Sequence, residues 1–297
     1  MRYLSTFTGI GGFELAFNQV FNNAYCVGWS EIDKYAIKTF VKNNPFLKNK
    51  NFGDIKTIAK GIDEESKIDI IFGGSPCQDL SVAKSNRQGL KGSKSGLLYD
   101  FIDIVNKAKP KYFLLENVHA MPKEARDEIS SLLGVEPVMI NSDIWTPQKR
   151  KRLYWFNWDS VAKPVGEAPR WPELVAWSKS TRYKDIETGK IFSSPNPDRE
   201  SYIEERELRD GRANTLTTGF GCGAYSSKTF RDIDGELIPL HPDDCEELQG
   251  FPIGWTEGVS DTQRYKQIGN AVTVPVVRAI FEGLKYELQK NIHERLA

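Results

Sequence analysis

The stretch from Ile68 to Gln78 constrains this chain more than any other. A mostly apolar run rich in β-branched residues, Ile68 to Phe72, breaks into Gly73-Gly74 and then Ser75-Pro76-Cys77-Gln78. This pattern predicts a buried strand that ends in a tight turn and presents one thiol. Pro76 fixes its own φ and restricts Ser75, so the backbone leading to Cys77 is stiff. Open α/β sheets bind ligands beyond the carboxyl ends of their strands, which makes such a turn a good mount for a nucleophile. A lone cysteine is otherwise more often a core residue; what surrounds the turn decides between the two.

The chain has 297 residues, enough for one large domain and a smaller one. Lys plus Arg and Asp plus Glu both number 40, so net charge does not advertise a nucleic-acid partner, and any such partner must be argued from local patches. The 4 cysteines are widely spaced, with no CxxC and no clustered histidine. That argues against a metal site and against a disulfide framework, and for reduced thiols in a cytoplasmic protein. No apolar run approaches the roughly 20 residues of a membrane helix, and nothing resembles a signal peptide.

Near the amino terminus, residues 3–8 read as a first strand, followed by Gly9-Ile10-Gly11-Gly12 and an amphipathic helix from Phe13 to Phe21. Strand, glycine turn and helix can bring a ligand against a helix N-terminus, but the spacing is GxGG, and a tight structural turn is the equal alternative. A second strand, 24–30, ends in Glu31-Ile32-Asp33. An acid at the tip of the second strand suits a ribose, and an acid before a helix suits a cap; Glu31 and Asp33 can share these jobs. A short strand near 51–53 gives Asp54-Ile55, where Asp54 either meets an adenine edge or caps the next helix.

After Cys77, residues 84–95 carry Lys84, Arg87, Lys91 and Lys94 with two glycines and no acid. Such a loop can close on a phosphate backbone, or it is a solvated surface loop. A helix over 96–109 leads to strand 112–115, which ends in Glu116-Asn117-Val118. A carboxylate and an amide there would face the same crevice as Cys77, and burial would raise the Glu116 pKa toward general-acid work; a helix cap is the alternative. Strand 137–140 precedes Gln148-Lys-Arg-Lys-Arg152, and 153–156 forms another strand. In an extended segment Gln148, Arg150 and Arg152 share one face and the lysines the other.

From about 159 to 211 prolines, aromatics and charges replace helical periodicity, which predicts a small irregular domain. Residues 212–218 form a short strand, Asp243-Asp244 cap a short helix, and a closing helix runs from Val274 to about Lys290.

Taken in order, these segments resemble the DNA (cytosine-5) methyltransferase family along essentially the whole chain. The matches are Phe7-Thr-Gly-Ile-Gly-Gly12, Glu31-Ile-Asp33, Gly53-Asp-Ile55, Gly74-Ser-Pro-Cys-Gln78, Glu116-Asn-Val118, Gln148-Lys-Arg-Lys-Arg152, Arg212 with Thr215-Leu-Thr217, and Gly269-Asn-Ala-Val272. The type is bacterial or phage, with stretches such as Ser75 to Ser81 and Glu136 to Ile140 similar to animal de novo enzymes.

The resemblance implies an α/β, Rossmann-like methyltransferase sheet with helices on both faces. The catalytic domain would span 1–158 plus 263–297, with a target-recognition domain over 159–262. It implies S-adenosylmethionine as cofactor, held by Phe7, Gly9, Ile10, Gly11, Gly12, Glu31, Ile32, Asp54, Ile55, Gly73, Pro76, Asn270 and Val272. Cys77 would attack carbon-6 of a flipped-out cytosine. Glu116 would protonate the ring, Arg150 would hold the base carbonyl and lower the Cys77 pKa, Arg152 would support Glu116 or the loop, and Asn117 completes the catalytic set. Double-stranded DNA would be met by Ser81, Ala83, Lys84, Arg87, Gln148, Arg212 and Thr217. A cognate restriction endonuclease is an allowed partner, and a monomer is the expected state. A tRNA-methylating branch and a catalytically silent DNA-binding relative are the alternatives.

Overall fold

The computed structural model describes residues 1–76, 96–163, 215–216, 229–231, 237–239 and 241–296. In chain order the elements are β1 (Arg2–Thr6), α1 (Gly12–Val20), β2 (Tyr25–Trp29), α2 (Lys34–Asn43), α3 (Ile55–Gly61), β3 (Ile70–Gly74), α4 (Leu97–Ala108), β4 (Tyr112–Val118), α5 (Lys123–Leu133), β5 (Val138–Asn141), β6 (Lys151–Phe156), β7 (Thr229–Arg231), β8 (Leu237–Pro239), α6 (Pro242–Gln249), α7 (Asp261–Asn270) and α8 (Val274–Leu296). A 3-10 turn, Pro45–Lys50, follows α2. Among the described residues no helix is long and apolar enough to cross a membrane.

The expected α/β sheet is present, with strand order β2-β1-β3-β4-β6-β5. β1 runs parallel to both β2 and β3, and β3 parallel to β4, whereas β6 is antiparallel to β4 and to β5. The chain leaves β1 toward β2 and returns on the other side at β3. That reversal opens a crevice at the carboxyl ends of β1 and β3, the place where such sheets bind ligands.

Side chains alternate across the strands and build one core on each face. On one face Leu4, Ile71, Phe113, Leu115, Leu153 and Trp155 pack with Ile58 of α3, Phe101 and Ile104 of α4 and Ile129 of α5. On the other, Phe72 meets Tyr3, Phe13 and Phe17 at ring separations of 5.2, 5.7 and 5.2 Å. The carboxyl-terminal helix closes this face, because Phe281 lies 4.9 Å from Phe17, 5.5 Å from Phe72 and 6.5 Å from Trp158.

The chain divides into two compact units, 1–141 with 151–163 and 276–297, and 142–150 with 164–275. The expected boundaries at 158/159 and 262/263 therefore move. Residues 142–150 and 263–275 join the second unit because buried side chains of the first segment hydrogen-bond the second, as described below. The short strand expected over 51–53 is reduced to a single bridge between Trp29 and Asn51. Thr215 and Leu216, the described part of the strand expected over 212–218, are not in a strand.

Phe281 is fully buried, so Phe281→Ala should leave a cavity among three aromatic rings and cost about 3–5 kcal/mol. Denaturant unfolding should show this as a lowered midpoint with little change in slope.

Candidate active site

The site begins with the turn after β1. Phe7 adopts φ 52, Gly9 φ 57 and Gly11 φ 89, all left-handed, and only the glycines do so without steric penalty. This winding delivers the chain into α1, whose N-cap is Gly11. The carboxylate of Glu31, at the tip of β2, accepts the Gly9 N–H at 2.9 Å and the Ile32 and Asp33 N–H groups at 2.8 Å each. Glu31 thus ties the β2 tip to the glycine turn. Asp33 takes the helix cap, accepting from Tyr35 N at 2.9 Å and Ala36 N at 3.3 Å. Asp54 caps α3 through one oxygen, accepting Lys56 N at 3.0 Å. Beside these groups Ile32 is 70% exposed, an apolar surface.

These residues fit an adenosyl cofactor. A carboxylate offers about four lone-pair positions, so Glu31 can still accept from ribose hydroxyls. Ile32 presents an apolar face to an adenine, and the left-handed turn turns backbone toward a ligand.

Glu14, on the first turn of α1, is a feature the sequence reading missed. It is completely buried, and among the described residues neither carboxylate oxygen has a partner at hydrogen-bonding distance. Burial pushes its carboxyl up to about 7; the Ser5 and Thr8 hydroxyls, bonded to each other at 3.0 Å, offset part of this and Glu31 adds to it. An acid between two apolar residues in a helix was the available signal.

The turn after β3 is built from the strand beside it. Gly74 pairs with Glu116 of β4. A Cβ on Gly74 would meet the Glu116 Oε2 at 2.9 Å, so the bare glycine is what lets the carboxylate lie across the strand. Asn117, 1% exposed, donates from Nδ2 to the Ser75 hydroxyl at 2.8 Å and to the Ser75 carbonyl at 3.3 Å. Its Oδ1 accepts the Val118 N–H at 2.7 Å. The amide therefore pins the backbone two residues before Cys77.

Glu116 lies within β4 rather than beyond it, since β4 extends to Val118. Arg152 Nε stands 3.0 Å from Glu116 Oε1, both side chains being mostly buried. A buried carboxylate and a buried guanidinium each need the other.

Arg150 does something else. It is 4% exposed, donating from Nη1 to the Leu216 carbonyl at 2.8 Å and from Nη2 to the Gly269 and Ala271 carbonyls at 3.0 and 2.8 Å. Gln148 is fully buried; its amide donates to Leu248 O at 3.4 Å and accepts Leu216 N at 3.3 Å. Thr215 Oγ1 donates to Lys149 O at 2.5 Å. The expectations were that Arg150 holds the base carbonyl and that Gln148 meets DNA; in the structure both side chains bond backbone inside the second unit. The physical reason is that β6 begins at Lys151, so Arg150 falls in the preceding segment and Arg152 in the strand.

Gly73 sits in β3 with no room for a side chain, a Cβ meeting Thr6 Oγ1 at 2.2 Å, and Pro76 follows the strand. Ile10, Gly12 and Ile55 are buried around the turn and at the start of α3. Asn270 and Val272, expected at the cofactor, fall in the second unit. Cys77, Ser81, Ala83, Lys84, Arg87, Arg212 and Thr217 lie outside the described residues.

A raised carboxyl pKa means that the folded state binds a proton the unfolded chain has released. The stability Glu14 contributes should be fully present below about pH 4.5 and lost as pH rises through about 7. Glu14→Gln should remove this slope from a series of melting curves across that window; an unchanged slope would count against it.

Comparison with known proteins gives a consistent result. A family model described as C-5 cytosine-specific DNA methylase matches residues 1–232 and 224–286. The type II methyltransferase M.NlaX of Neisseria lactamica is 30% identical over 322 residues, covering 97% of this chain and 97% of its own. M.HhaI of Haemophilus parahaemolyticus is 26% identical, covering 94% of this chain and 93% of its own. In three dimensions the chain is similar to the Dnmt2 methyltransferase of S. pombe, with TM-score 0.70 and 19% identity over 97% of this chain and 99% of that one; this shows a shared fold.

Proposed function

The chain belongs to the C-5 cytosine-specific DNA methylase family, and from that premise we propose that Cys77 attacks a cytosine turned out of the duplex while Glu116, held by Arg152, governs the proton on the ring. Membership makes it a DNA (cytosine-5) methyltransferase that uses S-adenosylmethionine. The observation that carries the mechanism is the Glu116–Arg152 pair beside the turn that leads into residue 77.

The reacting edge of cytosine is inaccessible in the stack, so the base must leave it. The Cys77 thiolate adds to carbon-6, and the displaced electron pair gives carbon-5 nucleophilic character as Glu116 donates a proton to ring nitrogen-3. The bound cofactor supplies the electrophilic methyl group. Loss of the carbon-5 proton to water, expulsion of the thiolate and return of the nitrogen-3 proton to Glu116 restore the ring. Arg152, rather than Arg150, has the position to orient Glu116 and to receive the base carbonyl, since a guanidinium fork can serve two acceptors. Asn117 acts through the turn it pins and is a positioning residue.

The cofactor would be held by the turn from Phe7 to Gly12 with Glu31, Ile32, Asp54 and Ile55, together with Gly73 and Pro76. Ser81, Ala83, Lys84, Arg87, Arg212 and Thr217 remain the proposed DNA contacts, and the target is proposed to be one short sequence read by the second unit. A restriction endonuclease of matching specificity and a cytoplasmic location belong to the same proposal, supported by the type II name of M.NlaX.

Bisulfite sequencing of duplex DNA incubated with the protein and S-adenosylmethionine tests it. Cytosines in one sequence context should be protected. Cys77→Ala should abolish protection, and Glu116→Gln should slow transfer about 10²–10⁴-fold. Methylation of tRNA but not DNA, or full activity in Cys77→Ala, would overturn the proposal.

A further inference from the structure

We propose that Asn51 is a positioning residue for the cofactor's ribose: its side-chain amide fastens the backbone of Glu31 to the turn that carries Asp54, and so aims the Glu31 carboxylate. This rests on the proposal that Glu31 serves the ribose. The amide makes three hydrogen bonds. Its Oδ1 accepts the Glu31 N–H at 3.3 Å and the Gly53 N–H at 2.9 Å, and its Nδ2 donates to the Glu31 carbonyl at 3.1 Å. Two donors facing the oxygen and one acceptor facing the nitrogen allow a single orientation of the amide that satisfies all three.

The end of the strand pairing explains why a side chain has this task. β2 stops at Trp29, and its partner segment is the single bridge to Asn51, where Phe52 N donates to Trp29 O at 2.8 Å. Gly53 then turns away with φ 71, a left-handed conformation that suits glycine. The Asn51 amide carries the donor and acceptor of a peptide group, and it pairs with both main-chain groups of Glu31 in place of a continuing strand. Asn43 and Asn44 show the ordinary alternative, each donating to a carbonyl four residues back in its own helix, Thr39 O at 2.9 Å and Phe40 O at 3.1 Å.

The same turn is fastened from β2. Ser30, buried, donates from Oγ to the Gly53 carbonyl at 2.6 Å, and its own carbonyl accepts the Thr8 N–H at 3.0 Å. The Phe52 ring lies against Gly28, where a Cβ would come within 1.9 Å of it. The glycine turn, the β2 tip and the Asp54 turn are therefore tied together through residues 30, 31 and 51. Aim matters at Glu31 because its carboxylate already accepts the Gly9, Ile32 and Asp33 N–H groups, out of about four lone-pair positions. The direction left for a ribose follows the backbone of residue 31, and a hydrogen bond weakens steeply once misaligned.

The test is the preference of the protein for S-adenosylhomocysteine over its analogue lacking both ribose hydroxyls, read by calorimetry as a ratio of two Kd values. Wild type should prefer the parent by about 10–100-fold, the range for a hydrogen bond to a charged group. In Asn51→Ala the ratio should fall to about 3-fold or less, with the Kd of the analogue little changed. Asn51→Asp keeps the acceptor and loses only the donor, so it should recover part of the ratio. Asn43→Ala should keep the ratio of wild type. In turnover, Asn51→Ala should raise KM for S-adenosylmethionine, with kcat at saturation and KM for DNA as in wild type. Should Asn51→Ala melt early, Ser30→Ala loosens the same turn from β2 and should also lower the ratio. An unchanged ratio, or an equal loss of affinity for both ligands as general destabilisation would give, overturns the role of Asn51. A wild type that binds both ligands equally overturns instead the placement of the ribose at Glu31, and this inference with it.

Discussion

A buried carboxylate is tolerated only where its charge or its proton is accounted for, and the site of this protein is arranged around one such group. Glu116 sits inside a strand, covered on one side by β3 and met on the other by Arg152. The arrangement has requirements on both flanks. Gly74 must lack a side chain so that the carboxylate has room, and β6 must run antiparallel beside β4 so that Arg152 reaches across. Asn117, the next residue, then uses its amide to hold the turn that ends at Cys77. The nucleophile mount, the acid and its cation are therefore one construction on three adjacent strands.

Two residues earlier in the chain the same kind of side chain has a different employment. Arg150 and Gln148 bond the carbonyls and an N–H of segments near 216, 248 and 270. A planar guanidinium with five N–H donors is suited to tying several carbonyls at once. This gives the basic run two jobs divided at the first residue of β6: upstream side chains organise the second unit, and Arg152 serves the first.

Much of the fold was legible because its signals are local. The β-branched run into Gly73-Gly74, the GxGG turn and the strand before Glu116 each announce an element and its end. Glu31 and Asp33 could not be told apart from the sequence, because both capping and ribose binding ask for an acid at a strand tip. The structure separates them through the Gly9 N–H that only Glu31 accepts. Arg150 and Arg152 were hard to tell apart for a similar reason. Alternation places Arg150 and Arg152 on one face of an extended segment, but the strand begins between them, and element boundaries are weakly encoded. The domain boundaries moved for the same cause, since long-range hydrogen bonds of buried polar side chains leave no local pattern. Glu14 was missed because a single acid in an amphipathic helix reads as a first-turn dipole partner until its burial is known.

The most direct measurement of the central claim uses a duplex carrying 5-fluorocytosine at the target position, with S-adenosylmethionine present. Fluorine at carbon-5 cannot leave as a proton does, so an enzyme that works through a carbon-6 adduct becomes trapped on its substrate. The account predicts a denaturation-resistant protein–DNA complex whose modified peptide contains Cys77, absent in Cys77→Ala. An adduct at another residue, or methylation of ordinary DNA with no trapped complex on the fluorinated duplex, would contradict it.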